Sequence, residues 1–240
     1  LFAPAGKYIR SMRMDRVRPH GFVFLRNGGF VLGGAVQTPE GAGLPLHLLS
    51  SAGTLVRSFG PERIVARMNA PSPVFAASGT DALWVAEESN YRMERVDTSG
   101  ATRRVVVVPN RWLPAFPDAA ARDAATSAQH PDLERGYVSS VFEVGEGQLC
   151  LTLRVAARDA AQVPMTYDPK SESGTVLTDE TTIRIHETVI EVLDLKARRL
   201  VTRHRVPGMA VLANDGTLVS PAVTDDGLMQ FEVFALRVRR

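Results

Sequence analysis

Three oxygen-bearing side chains, Glu87, Asn90 and Asp225, are the residues of this chain best suited to chemistry. Carboxylate and amide oxygens are the ligands that hard divalent cations take, and a cation so held can polarise a carbonyl or activate water. His20, Gln37 and Tyr137 carry further polar groups at comparable places. His20 and Tyr137 stand just before apolar runs, and Gln37, Glu87 and Asp225 just after them. The spacing fixes none of them as a ligand. Asn90 equally suits a tight loop, Glu87 or Glu88 can pair with Arg92, and Asp225-Asp226-Gly227 reads as a turn. The first expectation is therefore no cofactor, with a divalent cation such as calcium or zinc as the alternative.

Other catalytic constellations are absent. There is no Gly-x-Ser-x-Gly elbow, no P-loop and no Cys-x-x-Cys. His186-Glu187 opens like a zinc-binding helix motif, but position 190 is Ile and the neighbours Ile183-Arg184-Ile185 read as strand. The lone Cys150 excludes an internal disulfide and a multi-cysteine metal centre, and its apolar surroundings make it a buried small hydrophobe. No apolar run reaches the roughly 18 residues of a membrane span. A start at Leu1-Phe2, without Met or a signal pattern, reads as a processed or excerpted chain.

Whatever the polar residues do, strands must hold them. Phe22-Val23-Phe24-Leu25 runs into Arg26-Asn27-Gly28-Gly29 and returns as Phe30-Val31-Leu32. Similar hairpins follow at Val74 to Ala86, Val138 to Val155 and Met209 to Val223, each turning on Gly beside Asn, Asp or Glu. A second kind of turn recurs at Ala3 to Gly6, Ser50 to Gly53, Asp97 to Gly100 and Asp194 to Ala197. Gly6, Gly53 and Gly100 lie 47 residues apart. The longer interval to Ala197 is accounted for by insertions at 109–136 and 156–182. Four strands in about 40 to 50 residues is the period of a propeller blade.

The first hairpin of each unit is apolar on both faces, which demands a protein cover on each side. Neighbouring blades supply it, whereas a β-sandwich would show one polar face. The expected fold is an all-β propeller over residues 1–240, with blades at 22–58, 74–108, 138–206 and 210–238. Residues 1–14 would serve as an outer strand of the last or a preceding blade. The inner two strands of each blade are expected to be apolar and the outer two more polar. Arg10, Arg57, Arg103, Arg104, Arg199, Arg203 and Arg205 fall on outer strands, where they blunt sheet edges. With a net charge of only +2, this girdle argues against a nucleic-acid partner, which needs a basic face with stacking aromatics.

Leu83 to Gly100, LWVAEESNYRMERVDTSG, carries one more signal. An apolar strand, an acidic loop with Asn90, Arg92-Met93, and a turn of Asp97 and Gly100 resemble the repeat of six-bladed propellers of the NHL-like and TolB-like kind. Glu87 stands where that repeat usually has Asp. The resemblance covers one blade. It implies a C-terminal portion, about four blades, of a six-bladed ring, and an exported bacterial protein, periplasmic or extracellular. It also implies, as the alternative function, a metal-dependent hydrolase of the lactonase type with Glu87, Asn90 and Asp225 at the channel mouth.

The long connections all fall on one rim, where rigid scaffolds carry their binding loops. His20, Gln37, Glu87, Asn90, Tyr137 and Asp225 would ring the channel there. Trp112 and Phe116, in an Ala- and Pro-rich insertion, would form a lid or a patch for a partner. The expected function is non-catalytic binding of a peptide, protein or small molecule at this rim.

Overall fold

The computed structural model describes residues 17–25, 27–36, 46–60, 73–79, 81–87, 90–107, 136–145, 147–160, 166–167, 175–176, 179–213, 216–224, 226 and 228–235. They form successive antiparallel sheets in which each strand pairs with the one before it. The first sheet is β1 (Val17–Phe24), β2 (Phe30–Val36), β3 (Leu46–Leu49) and β4 (Leu55–Phe59). The second is β5 (Pro73–Ser78), β6 (Ala82–Glu87), β7 (Asn90–Asp97) and β8 (Thr102–Val107). The third begins with β9 (Tyr137–Glu143) and β10 (Gln148–Ala156). A two-stranded excursion, β11 (Thr166–Tyr167) and β12 (Thr175–Val176), and a short helix α1 (Asp179–Arg184) precede its outer strands β13 (His186–Asp194) and β14 (Arg199–Pro207). The fourth has β15 (Val211–Leu212), β16 (Thr217–Val223) and β17 (Met229–Ala235).

Packing identifies these sheets as propeller blades. Alternate residues of a strand point to opposite faces. In β6, Leu83 and Val85 join a buried cluster with Val23, Val31 and Leu46 of the first blade. Their neighbours Trp84 and Ala86 join Leu151, Leu153 and Val189 of the third blade. One strand thus feeds two cores, and a two-layer sandwich has no such strand. In the same way β10 sends Leu149, Leu151 and Leu153 toward the second blade, and Cys150 toward Leu212 and Leu218 of the fourth. Burial pushes the Cys150 thiol up to about 12, so it packs as an inert hydrophobe.

The recurrent outer turn has a physical cause. Asp97 Oδ1 accepts hydrogen bonds from the backbone N–H of Ser99 at 2.9 Å and of Ala101 at 3.0 Å. Asp194 does the same for Lys196 at 2.8 Å and Ala197 at 2.9 Å. Ser50 Oγ receives the N–H of Thr54 at 3.2 Å in the first blade. Each side chain closes the bend between the third and fourth strands, which is why the spacing shows in the sequence. The Ser99 hydroxyl, helped by backbone N–H groups and Arg103, lowers the Asp97 carboxyl from its usual 3.8 to about 2. A depressed folded-state pKa gives stability that is present above the unfolded value and lost on acidification. Replacing Asp97 by Asn should therefore lower the urea midpoint at neutral pH. It should also remove the part of the wild-type decline that falls between about pH 4 and pH 2. An unchanged acid limb would show that Asp97 does not titrate this way.

The third strands of the first three blades depart from expectation. They are as buried as the inner pair, although their sequences carry charges. Glu94 on β7 is 3% exposed and Glu191 on β13 is fully buried. Each is held by arginine: Arg92 Nε reaches Glu94 at 2.9 Å, and Arg203 Nε reaches Glu191 at 2.5 Å. Tyr91 of the second blade also donates its hydroxyl to Glu191 across the blade interface. The outer strands β8 and β14 are mostly exposed, and their arginines reach inward as ion pairs as well as covering edges.

His47 is wholly buried, and both of its ring nitrogens find partners in the first blade. Its ring lies 3.2 Å from the Gly34 carbonyl through Nε2 and 2.8 Å from Ser58 Oγ through Nδ1. The carbonyl requires the proton on Nε2, so Ser58 donates to Nδ1. Burial, partly offset by that backbone bond, lowers its pKa, and the ring is a neutral structural tie.

The first and fourth blades each carry an exposed apolar face. Phe22 and Phe24 of β1 point away from the second blade and are 59% and 53% exposed. Phe231 and Val233 of β17 are 63% and 67% exposed on the fourth blade. Among the described residues no buried cluster joins the first blade to the fourth. Residues 1–14 and the end of the last expected strand lie outside the described residues.

Candidate functional site: a cleft between the third and fourth blades

The start of β9, the end of β10, the start of β13, and the ends of β14 and β16 share one rim, the rim of the long connections. The innermost strand of the fourth blade, β15, is only 2 residues long, against 8, 6 and 7 for β1, β5 and β9. Blades three and four are therefore closed around Cys150, Ile190, Leu212 and Leu218, but separate toward the rim. The result is a cleft of about 670 Å³. Ile183, Val206 and Gly208 form one wall, and Leu218, Ala222 and Phe234 the other. Arg184, Ser220 and Glu232 add polar groups. Apolar walls with a few polar anchors, at this size, suit a small molecule or a peptide side chain.

Tyr137, the first residue of β9, is the candidate residue that the structure ties to this region. The guanidinium carbon of Arg154 lies 5.0 Å from the Tyr137 ring centroid, and Nη1 donates to its hydroxyl. Arg154 pairs in register with Thr188, and Thr188 with Val206, so the three form a row across β10, β13 and β14. Val206 lines the cleft. Two interstrand spacings place the Arg154 backbone about 10 Å from that of Val206. Thr188 Oγ1 donates to the Gly208 carbonyl and accepts from Ala210 N–H, both at 2.8 Å, which fixes the crossover into the fourth blade.

The other candidates are placed less completely. Glu87 and Asn90 end β6 and begin β7, and their backbones pair beside a register irregularity at Ala86/Glu87. His20, expected ahead of its strand, lies within β1 where the register slips between Pro19 and Gly21. Gln37, Asp225, Trp112 and Phe116 lie outside the described residues. Among the described residues, no three His, Cys, Asp or Glu side chains group so as to hold a metal ion. Arg154 was missed, although one signal was available: it interrupts the apolar run Leu149 to Val155, where a surface arginine has no place.

The fold and cleft define a β-propeller with an interblade cavity on its long-loop rim. No protein-family profile matches the chain, and no curated protein does. Among solved structures, a member of the DUF4221 family from Bacteroides vulgatus is similar at 9% identity and a TM-score of 0.49, covering 98% of this chain and 68% of that one. A Bacteroides fragilis protein described as exported is similar at 12% identity and a TM-score of 0.46, covering 91% of this chain and 58% of that one. An acylaminoacyl peptidase from Pyrococcus horikoshii is similar at 8% identity and a TM-score of 0.44, covering 91% and 31%. Likeness at this level carries no functional argument. No described helix is long and apolar enough to cross a membrane.

Proposed function

We propose that this propeller is a non-catalytic scaffold that binds a small molecule or a peptide in the cleft between its third and fourth blades. The cleft itself carries the reading: it lies on the long-loop rim, and its walls are apolar with a few polar anchors. The test is a fragment screen by ligand-observed NMR, run in parallel on the wild type and on Ala222→Trp. The added indole fills the cavity, so cleft ligands lose most of their binding. Hits that bind both proteins equally would sink the proposal. The lactonase-type alternative rests on Glu87, Asn90 and Asp225. A calcium or zinc titration followed by thermal melting separates the two, since a resident metal raises the melting temperature and a cleft ligand site needs none.

The four blades fit best as an arc of a six-bladed ring. The support is the pair of apolar end faces, Phe22 with Phe24 and Phe231 with Val233, which in a ring would each face another blade. The chain alone should then associate in solution, and Phe231→Ser with Val233→Ser should reduce that association in sedimentation velocity. A monomer with the scattering profile of a closed four-bladed disc would overturn this reading.

A further inference from the structure

We infer that Arg154 is the anchor of an oxyanion subsite, which receives a carboxylate or phosphate group of the ligand bound in the adjoining cleft. The inference rests on the cleft reading for the rest of the ligand and on Arg154 alone for its charge. Four arginines of the second and third blades, Arg92, Arg103, Arg203 and Arg205, each lie against a carboxylate. Arg154 does not. Among the described residues its one hydrogen bond runs from Nη1 to the Tyr137 hydroxyl. Its Nε is buried and has no hydrogen-bond partner. A buried donor left unpaired costs free energy, more so on a charged group.

Among the described residues no carboxylate pairs with it. The blade face that Arg154 shares is lined by hydroxyls: Ser139 and Ser140 both bond to Thr152, and Thr188 is committed to Gly208 and Ala210. Glu187, paired with Arg205 at 2.5 Å, stands opposite Val155 in the register and so on the other face of the sheet. Tyr137 holds the guanidinium from one side, by its ring and its hydroxyl. The edge formed by Nε and Nη2 is left, and that edge presents the parallel pair of donors that a carboxylate or phosphate accepts bidentately. Arg154 itself does not line the cleft; it stands at the β10 end of the row that runs through Thr188 to Val206 on the cleft wall.

The test uses succinate and inorganic phosphate as probes, with sodium chloride at matched ionic strength as the control. Thermal melting is followed for the wild type, Arg154→Gln and Tyr137→Phe. A rise in melting temperature with one or both probes is expected in the wild type, with the larger rise telling carboxylate from phosphate. It should vanish in Arg154→Gln. Tyr137→Phe should weaken the apparent affinity several-fold, because the guanidinium loses its fixed orientation. Where Arg154→Gln does not fold, Arg154→Lys and the wild-type Arg154 Nε–H resonance serve instead: Lys should bind at least tenfold more weakly, and the resonance should move with the probe. No rise in the wild type, or an equal rise in the Arg154 variant, overturns the inference. Failure of the cleft reading shows elsewhere, as fragment hits indifferent to Ala222→Trp.

Discussion

Arg203→Met should destabilise this protein by about 3–5 kcal/mol, the usual cost of stranding a buried charge. Arg203 stands directly opposite Glu191 in the pairing of β13 with β14, and both Nε and Nη2 reach Glu191 Oε1 at 2.5 Å. The two ends of the pair differ in their access to water. The Arg203 side chain is 38% exposed and that of Glu191 is 1% exposed. Methionine keeps the apolar stem that covers the sheet, so the substitution isolates the charge. Glu191 is then left buried between two blades with the Tyr91 hydroxyl as its remaining described donor. Glu191→Gln should cost less, about 1–2 kcal/mol, because Arg203 can turn to solvent and the amide oxygen still accepts from Tyr91. The double variant should be more stable than Arg203→Met alone, a coupling that only a shared interaction produces. Urea midpoints at neutral pH report all three outcomes. A deficit below about 1 kcal/mol at neutral pH would mean that Glu191 is hydrated in the folded protein.

That ion pair also marks where sequence reading stops. Strands apolar on both faces, such as Leu83 to Ala86, announce their two covers directly, because no other setting in a soluble protein tolerates them. The turns at Asp97 and Asp194 are equally plain, since one side chain closes each bend by itself. Glu94 and Glu191 look like members of a solvated face, and only the partner on the next strand reveals that they are buried. The site follows the same division. Tyr137 could be placed because it opens an innermost strand. The cleft could not, because Met209 to Ala213 reads as a full strand while the structure pairs only Val211 and Leu212. Arg154 is conspicuous in its apolar run, yet its lack of a carboxylate is a property of three strands together.

Gly33→Ala should destabilise by about 1–3 kcal/mol, the range for overfilling a packed core, whereas Gly21→Ala should be neutral or stabilise by up to about 1 kcal/mol. The two glycines pair across β1 and β2 and form a hollow in the first blade. Phe75, from the innermost strand of the second blade, seats its ring there. A Cβ at Gly33 would lie 2.3 Å from Phe75 Cε1 and 2.9 Å from Cζ, closer than any real contact. A Cβ at Gly21 would lie 3.8 Å from the same ring, an ordinary van der Waals distance. Neither glycine has a positive φ, so backbone strain does not enter and the contrast is purely steric. An alanine in a strand even recovers about 0.5–1 kcal/mol relative to glycine, which raises the steric cost needed to produce a net loss at position 33. Phe75→Leu should relieve most of the Gly33→Ala penalty, since the shorter side chain leaves the hollow. Because the hollow is one of the contacts between the first two blades, the same pair of variants tests how they are joined. If Gly33→Ala proves neutral and shows no coupling to Phe75→Leu in a double-mutant cycle, the two blades do not meet through this ring.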